Sequence, residues 1–273
     1  MPAGGTGLVL RGLRKEPAAI GKWHLGWDWT HKEGKAKTVD NIDFTKRVAN
    51  GPTDRGFDYF YGLTSPSGPP HLYMVNDMAE KQPNTRFEES GGGLYKIKGG
   101  IGHSDWSADG MQPHLADKML EYLDENKDSD KPFFLYMALT APHIPLFPSK
   151  EFKGKSKIGD YGDLVMMIDD IVGRVNRKLK EIGKYDNTIV MFAADNGCAG
   201  YINMDRINRK GHYPSYIYRG YKSHGWEGGH RIPFILSWGD RYGHVTDNSL
   251  VSLTDLYATF ADMLGYRMAD DEA

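Results

Sequence analysis

Lys22 and His24 stand two apart at the end of a short apolar run, Ala18-Ala19-Ile20, within Gly21-Lys22-Trp23-His24-Leu25-Gly26. In an extended segment, side chains two apart share a face. An ammonium and an imidazole aimed together at one point cradle an oxyanion. Three further groups place polar chemistry beside an apolar run. His143 lies in Thr140-Ala141-Pro142-His143-Ile144-Pro145, Asp195 and Asn196 open Asp195-Asn196-Gly197, and Lys222 precedes Trp226-Glu227-Gly228-Gly229-His230-Arg231. Singly, each has an ordinary role. Asp-Asn-Gly is first of all a turn sequence, glycines permit close backbone approach, and a histidine between prolines is commonly a loop residue. Together, two cations, two histidines and a carboxylate–amide pair suit an anionic ester held beside a divalent metal.

These residues need a scaffold that brings separate segments to one edge. Four apolar runs, 18–21, 133–139, 188–194 and 233–238, read as buried strands. Each is short, rich in apolar, β-branched or aromatic residues, and bounded by turn or charge signals. Between the second and third, Leu164, Ile168, Ile171, Val172, Val175, Leu179 and Ile182 recur at helical spacing, with Gly183 placed to cap. Two more helices are predicted over 113–126 and 254–264, the latter turning Leu256, Phe260, Met263 and Leu264 inward. Strands alternating with helices predict an α/β fold with a mainly parallel central sheet flanked by helices. Ligands of such sheets bind outside the carboxyl ends of strands. Lys22, His24, His143, Asp195 and Asn196 follow predicted strands, and Lys222 shortly precedes one. The tract 27–109 is polar, aromatic and rich in Gly and Pro, and reads as loops and small excursions over one rim of the sheet.

The chain has 273 residues, 40% hydrophobic and 12% aromatic, enough for one large domain with a sizeable core. Its 34 Lys+Arg against 36 Asp+Glu leave a net charge of -2, which recommends neither nucleic acid nor an anionic membrane as partner. No apolar run approaches the length of a transmembrane helix. Met1-Pro2-Ala3-Gly4-Gly5 shows no charged segment followed by an apolar one, so no secretory signal is visible. One cysteine, Cys198, excludes an internal disulfide and a cysteine-based metal cage.

From about 18 to 265 the motifs closely resemble, in order, those of the type I sulfatases of the alkaline phosphatase superfamily. Gly-Lys-Trp-His-Leu-Gly is followed by Gly56-Phe57-Asp58-Tyr59-Phe60-Tyr61-Gly62, Ala-Pro-His-Ile-Pro and Asp-Asn-Gly. Then come Arg219-Gly220-Tyr221-Lys222, Trp-Glu-Gly-Gly-His-Arg-Ile-Pro and Ser252-Leu253-Thr254-Asp255-Leu256-Tyr257. Pro69-Pro70-His71-Leu72-Tyr73 most resembles bacterial sulfatases that act on polysaccharides. The resemblance implies an alkaline phosphatase-like fold and metal-assisted hydrolysis of carbohydrate or aryl sulfate esters. Lys22 and His143 would bind the sulfate oxygens, with His143 also protonating the departing alkoxide. His24 would orient the nucleophile, and Lys222 would contact the sulfate and the leaving oxygen. Asp195 and Asn196 would be oxygen ligands to Ca²⁺, or alternatively Mg²⁺, both hard cations. The partner implied is a sulfated small molecule or polysaccharide, and the compartment periplasmic or secreted.

The chain also departs from the family pattern. Sulfatases make their formylglycine nucleophile in Cys/Ser-x-Pro/Ala-x-Arg, and no such sequence occurs here: Cys198, Ser65 and Ser107 all fail it. The Asp-Asp pair expected of the metal site has no convincing counterpart. Asp169-Asp170 reads as a solvated helix face and Asp270-Asp271 as an acidic tail. The expectation is therefore a partial sulfatase catalytic domain over 1–273, without the segment upstream of Lys22 or a small C-terminal subdomain, and inactive alone. Two alternatives are a phosphate or phosphonate ester hydrolase of the same superfamily and a non-catalytic, sulfate-binding pseudo-sulfatase.

Overall fold

Ala18, Ala19 and Ile20 are small or β-branched and wholly apolar, the pattern of a strand covered on both faces. They form the centre of β1 (Glu16–Lys22). In the computed structural model, residues 16–268 are described; Met1–Gly5 and Asp270-Asp271 lie outside them. Two units divide the chain. The first comprises residues 16–90, 97–140 and 246–268, the second 91–96 and 141–245.

In the first unit, β1 is flanked by β2 (Tyr59–Leu63), and the sheet continues through β3 (Met74–Val75) and β4 (Met78–Ala79). A separate antiparallel ribbon pairs β5 (Thr85–Phe87) with β6 (Gly100–Gly102). Helix α1 (Met111–Glu125) packs on β1 and β2 and leads into β7 (Phe133–Ala138) on the other side of β1. β1 runs parallel to both β2 and β7, as expected, but β2–β3 and β3–β4 are antiparallel. The sheet is thus mixed. The reversal at β3–β4 uses the two-residue turn Asn76-Asp77, with Asn76 at φ 54, a conformation asparagine tolerates.

The tract 27–109 is more than an excursion over the rim. It supplies β2 inside the sheet, and Ile42, Phe44, Val48, Phe57, Phe60, Leu72 and Met74 pack with Ala19 and Trp23 in the core. Aromatic residues interleaved with Gly and Pro read as loop, yet Tyr-Phe-Tyr-Gly-Leu is nearly all buried.

In the second unit, α2 (Asp160–Glu181) has the predicted stripe, burying Leu164, Ile168, Ile171, Val175 and Leu179, with Met167 added. Asp163 is wholly buried, and its carboxylate accepts the Gly154 and Ser156 N–H groups at 2.7 and 2.6 Å. Asp169 is exposed and Asp170 lies 3.5 Å from the Arg177 guanidinium, the solvated face expected. The third and fourth apolar runs form β8 (Ile189–Ala193) and β9 (Phe234–Trp238), which pair antiparallel with each other as a two-stranded ribbon. Two short helices, α3 (Met204–Asn208) and α4 (Glu227–His230), lie between them.

The last helix, α5 (Asp255–Met263), belongs to the first unit and sets Phe260 edge-on to Phe134, 5.7 Å between ring centres. Its buried position is Ala261, so Met263, two residues and about 200° further round, faces out and not in as expected. Among the described residues, no helix is long and apolar enough to cross a membrane.

Candidate active site

The end of β1 is shaped by close backbone approach. A Cβ on Gly21 would lie 2.0 Å from the Ala138 carbonyl oxygen, and one on Gly62 1.8 Å from that of Gly21. Gly21 also sits at φ +129, where side chains are rarely accommodated. Beyond it, the Trp23 N–H donates to the Leu63 carbonyl at 2.9 Å, and the Trp23 ring buries edge-on against Phe57. Lys22 and His24 flank this buried anchor, Lys22 half-buried and His24 exposed. The alternation inferred from spacing is therefore present in the burial pattern.

His143, Asp195, Asn196 and Lys222 all belong to the second unit and line one cavity of about 630 Å³. Backbone contacts draw their segments together. The Lys222 N–H donates to the Cys198 carbonyl at 2.8 Å, and the Gly197 N–H to the Gly229 carbonyl at 2.9 Å. The Gly228 N–H donates to the Arg219 carbonyl at 2.9 Å. A Cβ on Gly197 would meet the Gly228 oxygen at 2.0 Å, and one on Gly228 the Gly220 oxygen at 2.3 Å. The glycines of these motifs are thus the condition for three loops to meet.

His143 Nδ1 donates to the Ile144 carbonyl at 2.6 Å. A carbonyl can only accept, so the proton sits on Nδ1, and Nε2 is the nitrogen whose protonation can change. Asn196 Nδ2 donates to Asp195 Oδ1, while Asn196 Oδ1 is buried without a hydrogen-bond partner. A buried, unpaired oxygen beside a carboxylate suits a hard cation, which takes 6–8 oxygen ligands as Ca²⁺. The two residues fit as part of such a set. Among the described residues, no group of three or more His, Cys, Asp or Glu could hold a metal ion.

Sequence spacing did not single out Arg231, which lines the same cavity and lies over the Tyr218 ring, 4.7 Å from its centre. It stands in the quoted Trp-Glu-Gly-Gly-His-Arg motif, of which no residue had an assigned role. Cys198 lines the same cavity. Burial pushes its thiol above the ordinary range, although Tyr161 at 3.5 Å partly offsets this.

Residues 9–266 match the family model Sulfatase. The chain belongs to the sulfatase family. It is 28% identical over 289 residues to an N-acetylgalactosamine-6-O-sulfatase of Bacteroides thetaiotaomicron, covering 93% of this chain and 55% of that sulfatase. It is 30% identical over 252 residues to an arylsulfatase of Hemicentrotus pulcherrimus, covering 92% of this chain and 41% of the relative. The chain therefore spans about half the length of these sulfatases. A solved Bacteroides thetaiotaomicron structure, described with the metabolism of multiple glycosaminoglycans, superposes with a TM-score of 0.80 at 26% identity, covering 98% of this chain and 61% of its own. The sulfatase PsFucS1 of Pseudoalteromonas shares the fold, with a TM-score of 0.68 at 24% identity over 98% of this chain and 51% of its own.

Proposed function

We propose that this chain carries the sulfate-binding and leaving-group machinery of a sulfatase acting on sulfated carbohydrate. The observation that supports it most is the gathering of His143, Lys222, Asp195 and Asn196 around one cavity. Cleaving a sulfate ester builds negative charge on the sulfuryl and leaving oxygens. Cations fixed in advance stabilise that charge without reorganising, and losing one such contact costs on the order of 10²–10³ in rate. Lys222 neutralises the sulfuryl and leaving oxygens. His143, its ring fixed through Nδ1, gives a proton from Nε2 to the departing alkoxide. Lys22 holds a sulfate oxygen and His24 orients the attacking group. Asp195 and Asn196 would hold Ca²⁺ or Mg²⁺, which would supply further charge stabilisation when bound.

The carbohydrate preference draws on the relatives, two of which are an N-acetylgalactosamine-6-O-sulfatase and an N-acetylgalactosamine-6-sulfatase of Sus scrofa. None of the chain's Cys or Ser residues stands in Cys/Ser-x-Pro/Ala-x-Arg, the sequence that yields the family nucleophile. The 273-residue chain should therefore bind a sulfate ester but turn over little or none. Calorimetry with N-acetylgalactosamine 6-sulfate tests the first half, and Lys222→Ala should weaken binding about tenfold or more. Rapid Ca²⁺-dependent hydrolysis of a chromogenic aryl sulfate by the purified chain would overturn the second. Equal affinity of wild type and Lys222→Ala would overturn the first.

A further inference from the structure

Tyr201 lines the cavity that holds His143 and Lys222 but takes no part in the chemistry above. It sits in a single 3₁₀ turn, Gly200–Ile202, on the loop that begins with Asp195 and Asn196. Ile202 is 4% exposed and anchors the turn, while its neighbour Tyr201 is 45% exposed. Gly200 lets the turn approach the segment of Lys222, since a Cβ there would lie 2.5 Å from the Tyr221 ring. The Tyr201 ring meets the His143 ring edge-on, with 6.3 Å between centres and 75° between planes. Edge-to-face contact at such a distance is an attractive arrangement of aromatic rings. Burial raises the Tyr201 hydroxyl above its ordinary range, and a hydrogen bond from the Ile144 backbone opposes this. A bond that favours the phenolate must be donated to its oxygen, so it comes from the Ile144 N–H.

Both polar groups of Ile144 are therefore engaged at this site. Its carbonyl accepts from His143 Nδ1 at 2.6 Å, and its N–H donates to Tyr201. The first of these bonds decides the tautomer. In water a neutral imidazole carries its proton mainly on Nε2, whereas the Ile144 carbonyl keeps it on Nδ1. A bond from a ring to the carbonyl of the very next residue is local, and rotation about the histidine side-chain bonds would break it. The Tyr201 ring stands against one edge of that rotation, and its hydroxyl holds Ile144 in place. We propose that Tyr201 is a positioning residue for His143, fixing the ring with Nδ1 on Ile144 so that Nε2 serves the departing oxygen. The proposal rests on the sulfate-ester reading of the cavity and deepens it by naming what orients the proton donor. It also ties the two loops together, because the loop of Asp195 and Asn196 then sets the orientation of a histidine on another.

The test is long-range proton–nitrogen NMR on the full chain labelled with ¹⁵N-histidine, without ligand. It is run at about pH 8, above the ordinary histidine pKa of about 6.5, so that the rings are neutral. Wild type should show His143 as the Nδ1–H tautomer, its signal assigned by its loss in His143→Gln. Tyr201→Ala should move most of the His143 population to Nε2–H. The same variant should bind N-acetylgalactosamine 6-sulfate about three- to tenfold more weakly by calorimetry. Tyr201→Phe, which keeps the ring edge on His143, should retain most of the Nδ1–H form. Tyr201→Leu, apolar bulk without a ring, should behave as Tyr201→Ala and replaces it if the alanine variant does not fold. An unchanged His143 tautomer in the Ala or Leu variant would overturn the proposal even if affinity fell, because Tyr201 would then act on the ligand and not on His143. Failure of the sulfate reading looks different: the tautomer would respond to Tyr201 while affinity ignored Lys222→Ala.

Discussion

β1 and β9 are both short apolar strands beside candidate site residues, yet their surroundings differ. Ile20 in β1 is 0% exposed, in a strand that lies between two parallel neighbours and packs against α1. Ile235 in β9 is 59% exposed, and among the described residues its strand pairs with β8 alone. The residue type is the same; the number of partners is not. Lys22 and His24 are therefore placed by a sheet. His143, Asp195, Asn196 and Lys222 are placed by loops that touch through backbone and glycine. The end of β1 combines burial with close approach at Gly21 and Gly62, whereas the loop segments rely on close approach without a covered strand.

The sharpest way to break this contrast is to remove the same atoms from both strands. Ile20→Ala should cost about 2–5 kcal/mol, because it empties a filled core site. Ile235→Ala should stay within about 0.5 kcal/mol, as exposed substitutions do. Urea unfolding of each variant measures both, and equal losses would abolish the distinction.

Close approach in the loop half is tested by adding one methyl group. Gly228→Ala would push a Cβ to 2.3 Å from the Gly220 oxygen and 2.9 Å from that of Arg219, forcing apart the loops that carry Lys222. Affinity for a sulfated monosaccharide should fall about tenfold, the worth of one charge-assisted hydrogen bond. Gly243→Ala, with nothing within 4 Å of its Cβ, should leave affinity unchanged. If both variants bind alike, the glycine contacts do not position the site.

The two halves were not equally legible in the sequence. Alternation about Trp23 is visible in the burial of Lys22, Trp23 and His24, because strand periodicity acts over two residues and needs no distant information. The stripe of α2 was legible for the same local reason. The burial of Tyr59–Leu63 was not, since aromatics between glycines fit a loop equally well until a parallel neighbour claims them. Nor was the pairing of β8 with β9. Strand direction is decided by the path of the 40 residues between Ala193 and Phe234, not by the apolar run itself. Arg231 escaped notice because its place in the cavity depends on stacking over Tyr218, a contact thirteen residues away in the chain.

Acid should separate the sheet half further. His71 is 1% exposed, its Nε2 donates to the Lys98 carbonyl at 2.8 Å, and desolvation holds it below its ordinary value of 6.5. Desolvation also lowers His114, whose Nε2 lies 2.6 Å from the Tyr61 hydroxyl. For a base whose folded pKa is depressed, the unfolded chain binds the proton first. Stability from these neutral histidines is therefore full above pH 6.5 and is lost as pH falls below it towards the folded values. Each contributes a slope of at most about 1.4 kcal/mol per pH unit. Unfolding midpoints between pH 7.5 and 5 should fall for wild type and fall less steeply for His71→Gln. An unchanged slope would remove His71 from this role.

The smallest effect expected lies in the loop half and concerns the metal. Two oxygen donors from adjacent residues make a weak site, because most of a calcium ion's ligands would have to be water. The buried Asn196 Oδ1 nevertheless gains the partner it lacks when a cation binds. Calcium at about five times its dissociation constant should stabilise the folded chain by about 1 kcal/mol, through binding to the native state alone. Asn196→Ala should abolish this response without altering the effect of Ile20→Ala, because the two residues lie in different units. Thermal unfolding with and without calcium reads both. If calcium stabilises Asn196→Ala as well as wild type, the ion binds elsewhere, and the Asp-Asn-Gly loop returns to being a turn.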